Sequence, residues 1–340
     1  MESLFFPVCV RCFTYNQANY IEKTLDGFCS QNTNFPYVCT IVEDCSNDGE
    51  QNVLTGYVHA HFDLDDHNYF RTEDNDDYSL IFARHRINHF CFFAVILLKY
   101  NHYSNPAIGS DRKFQYISEW HDPAKYVAIC EGDDYWTDSD KLQKQYDVLE
   151  SDPSVTCVHT GFYTIDKDGK EITRPTYEGY MKRSHNGNVI TALLNGNYVM
   201  TLTTMYRSEV FKSLIYRSCP SKYDYAMTFS AAMMGDFIYL PEKTACYRKT
   251  PGGAMDSMHS NPNHPLVKKR KEVYSYFSKL IIENKSVSFK EKTIQRCHIL
   301  IHLMRINDYE TMKSILEIDY LSRVIYPFAY FYKRTKYANK

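Results

Sequence analysis

Three short stretches carry the residue types that could do chemistry. Thr14-Tyr15-Asn16 follows one apolar run, Glu43-Asp44-Cys45-Ser46-Asn47-Asp48-Gly49 a second, and Glu131-Gly132-Asp133-Asp134-Tyr135-Trp136 a third. The last is the most demanding electrostatically. Its three carboxylates fall within four residues, and like charges so close repel one another. A cation is the usual remedy. Hard oxygen ligands suit Mg²⁺ or Mn²⁺, which bind through one or two carboxylates plus substrate phosphates. The competing reading is a helix-capping loop whose acidic first turn favours the helix dipole. Asp44 and Asp48 by themselves are also ordinary turn chemistry. The convergence of all three stretches at strand ends favours a nucleotide site with a metal on its phosphates.

The elements that must position these groups follow from periodicity. Pro7 opens an apolar run over residues 8–13. Ile21, Leu25 and Phe28 then recur at i, i+4 and i+7, one face of a helix. Residues 37–42 are a second β-rich run. Strand, helix, strand is a βαβ unit, hence a parallel pair. In an open α/β sheet, ligands bind beyond the carboxyl ends of the strands. Residues 60–79 read as a solvated loop or edge, and Asp74-Asn75-Asp76-Asp77 lacks the glycine and glutamate spacing of a calcium loop. Residues 81–100 fit a buried helix or strand equally. Residues 126–130 read as a strand. Residues 141–149 read as a helix with Asp138 or Asp140 as its cap. Further strands are expected over 155–165 and 199–206, and a short one within 238–248, which leads into Pro251-Gly252-Gly253. Residues 265–318 carry Lys, Glu, Leu and Ile at helical spacing.

Composition narrows the function classes. The 340 residues are 44% hydrophobic and 24% charged, an ordinary globular balance. Lys+Arg is 39 and Asp+Glu is 41, so the net charge is −2 and no nucleic-acid partner is expected. The longest apolar run, residues 90–98, falls far short of the roughly 20 residues of a spanning helix. The amino-terminal MESLFFPVCV has no basic leader pattern, so a cytoplasmic protein is expected. The 11 cysteines are odd in number, and several sit in apolar runs, as buried thiols in a reducing compartment do. Cys9 and Cys12 are three apart on a strand. They should therefore point to opposite faces rather than form a redox pair.

The strand followed by FTYNQ, then VEDCSNDG, then KYVAICEGDDYWTDSDKLQKQ, resembles the bacterial family 2 glycosyltransferases of the GT-A fold. The resemblance spans roughly residues 7–253. It implies an α/β, Rossmann-like, mostly parallel sheet flanked by helices, with a C-terminal helical appendage. The expected domains are 1–253 and 254–340. It also implies that Thr14, Tyr15, Asn16, Asp44 and Asp48 meet the donor nucleotide. Glu131-x-Asp133 stands for the D-x-D motif, with Glu for the first Asp. Asp133 and Glu131 are then the metal ligands, for Mg²⁺ or Mn²⁺, and Asp134 assists or holds the donor sugar. Asp224 in Lys222-Tyr223-Asp224-Tyr225-Ala226 is the candidate catalytic base. Thr250 stands where many members carry a histidine, which leaves water, Thr250 or His259 as the third ligand.

The implied activity is an inverting sugar transfer from a nucleotide-sugar donor, with a UDP-sugar expected. The acceptor would be a saccharide or lipid-linked saccharide, in bacterial surface polysaccharide synthesis. Two rivals stand beside it. A sugar nucleotidyltransferase usually opens with a glycine-rich loop, which Thr14-Tyr15-Asn16-Gln17 is not. A non-catalytic nucleotide-sugar binding module would fit the absent histidine. In the tail, Arg323, Lys333, Arg334, Lys336 and Lys340 stand among aromatics. Two readings stay open there. Either Pro327 leaves a short interfacial segment on an anionic membrane, at the inner face of the plasma membrane, or the tail packs back on the helical appendage.

Overall fold

The computed structural model describes residues 4–105, 112–250, 265–284 and 287–337. Pro251-Gly252-Gly253, His259, Lys340 and the expected boundary at residue 253 lie outside the described residues.

Among the described residues the strands form one sheet around a parallel centre. β1 (Val8–Thr14) pairs in parallel with β2 (Tyr37–Glu43), reached through the helix α1 (Ile21–Cys29). The amphipathic spacing is realised as expected: Ile21, Leu25 and Phe28 are buried against the sheet. Each such side chain contributes about 1.5–3 kcal/mol by leaving water. A second helix, α2 (Glu50–His61), follows β2. Then come the short β3 (Phe62–Asp63) and β4 (Arg71–Asp74). The ambiguous stretch 81–100 proves to be two antiparallel strands, β5 (Tyr78–His85) and β6 (Cys91–Leu98), turned over at Arg86–Phe90. β4 and β5 make an edge hairpin, and Asn75 Oδ1 holds its acidic turn by accepting from Asp77 N and Tyr78 N.

β7 (Tyr126–Ile129) returns to the other side of β1, again in parallel. The parallel centre thus runs β6-β2-β1-β7, and the strand order reverses between β1 and β7. In such sheets ligands bind at the switch point beyond the strand ends, here the carboxyl ends of β1, β2 and β7. All three chemistry-bearing stretches lie there.

The chain continues through β8 (Tyr135–Trp136), α3 (Lys141–Ser151), β9 (Val155–Ile165), β10 (Met205–Arg207), α4 (Asp224–Met234) and β11 (Asp236–Arg248). β10 lies antiparallel to both β7 and β9, and β8 pairs with the end of β11. Two expectations need correction here. Residues 199–206 are not one strand: Thr201–Thr203 forms a 3₁₀ turn, whose carbonyls are taken by side chains. Trp136 Nε1 donates to Leu202 O and Gln145 Nε2 to Thr203 O. Neither Asp138 nor Asp140 caps α3 with its side chain; Gln31 Oε1 reaches across and accepts from Leu142 N at 3.0 Å.

Cys9 and Cys12 do face opposite sides of the sheet. Cys12 packs with Leu25 and Phe28, and Cys9 with Phe92 and Trp120. The appendage is α5 (Pro265–Glu283), α6 (Phe289–Arg305), α7 (Tyr309–Ile318) and α8 (Tyr320–Tyr337). It packs on α4 through Phe277 against Phe229. Pro327 sits inside α8 and does not end it, contrary to expectation. Ile325 and Ala329 are buried in the appendage core, and Lys333 Nζ donates to Met304 O, so α8 folds back on α6. No helix among the described residues is long and apolar enough to cross a membrane.

Candidate active site

The loops after β1 and β2 are tied together into one floor. Asp44 N donates to Thr14 O at 3.1 Å. Asn16 N donates to Ser46 Oγ, Asn47 N to Asn16 Oδ1, and Ala18 N to Asp48 Oδ2. Asn16 (φ 54°) and Cys45 (φ 58°) take the left-handed conformation this demands. Asparagine tolerates that region better than most residues. Beneath lies Glu50, which the motif analysis missed. It is fully buried, accepts from Gln17 N, Ser46 Oγ and Thr14 Oγ1, and burial raises its carboxyl. The signal was present: an acid directly after Asp48-Gly49, at a helix start.

The residues expected at the nucleotide divide in two. Thr14 is buried; Asn16 and Asp48 belong to the loop lacing. Tyr15 stays 44% exposed. Asp44 is fully buried, with both oxygens engaged within the chain. Oδ1 accepts from His102 N at 2.7 Å, and Oδ2 from Tyr103 N at 3.1 Å and from the Lys113 ammonium. Its carboxylate thereby holds the segment after β6 against the end of β2. Tyr103, 60% exposed, stands beside it.

The third stretch is held from two sides. Thr24 Oγ1 lies at donor distance from both Gly132 O and Asp134 O. Arg248, at the end of β11, donates its backbone N to Asp134 Oδ1 at 2.8 Å and Nε to Asp133 O at 2.9 Å. Its guanidinium also lies over the Tyr20 ring. The geometry is tight at Gly132, where a β-carbon would collide with Thr14 Oγ1 and lie 2.5 Å from Gln17 Oε1.

Several of the candidate acids act on one another electrostatically. Burial pushes the Glu131 carboxyl up to about 7, helped by Asp224 and opposed by Arg11. Thr201 Oγ1 donates to Glu131 Oε2 at 3.1 Å. Burial also raises Asp133, against the pull of Arg248 and Gln17. Asp134 is raised well above the usual carboxylate range by burial, then by Asp133. Asp224, the first residue of α4, is exposed to solvent yet crowded by protein, the condition of a cleft wall. That crowding raises its carboxyl too, with Arg11 again opposing.

Arg11 was not singled out from sequence, although it is the lone charge in the run Val8-Cys9-Val10-Arg11-Cys12-Phe13. It is 5% exposed and ringed by Phe13, Phe114 and Phe211.

The donor set fits a divalent ion only in part. Glu131 and Asp133 are hard oxygen donors, crowded by like charge and able to gain from a cation. Among the described residues no three ligating side chains converge on one point, and Thr250 is partly buried just past β11. Mg²⁺ needs no such cage when substrate phosphates supply the remaining oxygens.

No protein-family profile matches the chain. It is 27% identical over 252 residues to the uncharacterized proteins Rv1520 of Mycobacterium tuberculosis and Mb1547 of Mycobacterium bovis. The match covers 73% of this chain, which spans about three fifths (60%) of the length of those relatives. Among solved structures, S. aureus TarS 1-349 in complex with UDP-GlcNAc superposes with a TM-score of 0.55 at 15% identity, over 95% of this chain and 79% of that one. The same protein in complex with UDP gives 0.54 at 14%, over 88% and 72%. The chain has the GT-A-like α/β fold of glycosyltransferases, with a helical C-terminal region.

Proposed function

We propose that the chain is a glycosyltransferase that moves a sugar from a nucleoside-diphosphate donor to a hydroxyl acceptor. The observation that carries this reading is that Asp224 and Asp133 both act on the Glu131 carboxyl, just past the carboxyl end of β7 at the switch point of the sheet. The nucleotide reading is supported by the polar lacing of Thr14, Asn16, Ser46 and Asp48 at the adjoining strand ends. TarS was solved with UDP and with UDP-GlcNAc, which supports a uridine nucleotide as the first donor to try.

In this reading Tyr15 and Tyr103 offer exposed rings near the base, and Asp44 orients the segment that carries Tyr103. Asp133 with Glu131 would hold Mg²⁺ or Mn²⁺. Such an ion supplies Lewis-acid stabilisation of the leaving diphosphate. Asp224 takes the proton from the acceptor hydroxyl as that oxygen bonds to the anomeric carbon. The bond from that carbon to the diphosphate breaks, and its electron pair leaves with the nucleotide. Attack from the face opposite the nucleotide inverts the centre, and one carboxylate base suffices because the diphosphate is a good leaving group. Burial raises the Asp224 carboxyl, and Arg11 opposes that rise, toward the ionised form a base requires. The resemblance to family 2 enzymes supports a saccharide or lipid-linked saccharide acceptor in surface polysaccharide synthesis, at the cytoplasmic face of a membrane.

The test is UDP release from a panel of UDP-sugars, with and without Mn²⁺, by the wild type and by Asp224→Asn. The expected result is Mn²⁺-stimulated release that falls by about 10²–10⁴ in the variant, with donor affinity kept. Tight donor binding without turnover on any acceptor would leave a binding module instead.

A further inference from the structure

A second cavity adjoins Phe114 and Phe211, two of the rings that surround Arg11. It has a volume of about 250 Å³. Phe114, Phe211 and Tyr216 wall it, His121 lines it, and Lys212 and Lys222 stand around it. Arg11 is seated behind two of these walls, its guanidinium 5.2 Å from the Phe114 ring centre and 5.9 Å from that of Phe211.

Two groups here lack partners. His121 is only 7% exposed, and its Nε2 has no hydrogen-bond partner among the described residues. Its Nδ1 lies 3.2 Å from Asp122 Oδ1. A carboxylate at that nitrogen selects the tautomer protonated on Nδ1. Burial, reinforced by Arg11, pushes the imidazole pKa down to about 4, so the ring is neutral at pH 7. Nε2 then carries a lone pair that asks for a donor, such as a hydroxyl. Arg11 is the second group: Nε and Nη1 have no partner, and Nη2 reaches only the Met227 thioether. Among the described residues no carboxylate makes an ion pair with this buried guanidinium. Its charge acts on Glu131 and Asp224 without direct ion-pair contact, so its own N–H groups stay largely unpaired.

The charge around the cavity is positive on balance. Lys212 is exposed, with Ser208 Oγ at 3.3 Å. Lys222 is fixed by donating to the carbonyls of Tyr216, Arg217 and Cys219. Asp122 is the one acid on the lining. Aromatic walls, a buried lone-pair acceptor and cationic groups together suit a sugar ring that carries a negative charge. Pockets for drug-sized ligands start at about 300 Å³, so this space suits one such unit rather than a chain.

Its location gives the site a role. Lys222 precedes Asp224 by two residues, so their backbones lie within about 7 Å. We infer that this cavity holds one anionic sugar unit of the acceptor, carrying a carboxylate or a phosphate, beside the unit whose hydroxyl Asp224 deprotonates. The inference rests on the transferase reading for its role and on the cavity alone for its ligand.

The test is calorimetric titration of the full chain with glucuronate, glucose 6-phosphate, glucose and inorganic phosphate, and separately with UDP. One or both charged sugars should bind about tenfold or more tightly than glucose, and the tighter of the two identifies the charged group. Lys212→Glu reverses an exposed charge and should weaken the charged sugar about tenfold while leaving the melting temperature unchanged. His121→Phe keeps the ring volume and should lose the charged sugar. Equal binding of glucose, equal binding of inorganic phosphate, or unchanged affinity in both variants overturns the assignment, as does no binding of any sugar. If glucuronate binds but UDP does not, the cavity assignment stands and the donor reading falls.

Discussion

Arg248 holds Asp134 through its backbone rather than its guanidinium: Arg248 N donates to Asp134 Oδ1 at 2.8 Å, across 114 positions of sequence. The guanidinium meanwhile holds Asp133 O and the carbonyls of Asp166 and Lys167. The end of β11 therefore fixes the acidic loop, and the neighbouring acids differ in duty. Asp134 is a buried structural acceptor. Asp133 is left to the cleft, with Gln17 beside it.

That division predicts opposite phenotypes. Asp133→Ala should lose most transfer activity and keep its melting temperature. Asp134→Ala leaves a buried N–H without its acceptor and should cost about 1–3 kcal/mol of stability. UDP release and thermal unfolding on the two variants decide it. Near-wild-type turnover in Asp133→Ala, with Mn²⁺ dependence unchanged, removes it from the metal site.

Gly132 should tolerate no side chain. In Gly132→Ala the new methyl meets Thr14 Oγ1 and sits 2.7 Å from Thr14 Cβ, so the loops after β1 and β7 must part. The expected result is at least about a tenfold loss of UDP affinity, since a misplacement of about 1 Å at such sites costs about 10² in rate. Calorimetric titration with UDP measures it, and unchanged affinity would show that the two loops yield independently.

Acid should weaken the fold through buried histidines. Burial, reinforced by His185, pushes His159 down to about 3, and burial likewise lowers His302 to about 3. Above pH 6.5 these rings are neutral in both states, and their full stability is present. As pH falls from 6.5 toward 3, the unfolded chain takes up protons that the native one refuses, so stability is lost. Each such ring contributes about 1.4 kcal/mol per pH unit within that window. His159 Nε2 has no partner, so His159→Phe removes a titration without removing a hydrogen bond there. Urea unfolding at pH 7, 6 and 5 should show a shallower loss in this variant, and equal slopes would refute the assignment.

The two faces of α8 should separate by substitution. Ala329 is fully buried, so Ala329→Leu overpacks the appendage and should cost about 1–3 kcal/mol. Phe328 is exposed, so Phe328→Ser should leave the melting temperature alone. If that face meets an anionic membrane, Phe328→Ser will weaken sedimentation with anionic vesicles at low salt. Equal sedimentation of wild type and variant rules out this face as a membrane contact.

The sequence by itself determined the parts of this protein that depend on neighbours along the chain. Apolar runs at 8–13, 37–42 and 126–130 had to be strands, and the polar residues ending each run had to share one edge once those strands were parallel. It left 81–100 undecided because a run apolar on every side has no period to read, and only pairing made it two strands. It placed Asp140 at the N-cap of α3, where it stands, but not the side-chain acceptor at that end, because Gln31 lies 111 positions from the N–H it takes. Tertiary structure alone decided that Asp44 is engaged by His102 N, Tyr103 N and Lys113, and that the charge of Asp224 acts on Glu131. It also set Arg11 where its charge reaches Glu131, Asp224 and His121 alike. Backbone periodicity constrains which way a side chain points, but charge acts through space. The partners of a buried charge are fixed only when distant strands and helices have packed around it.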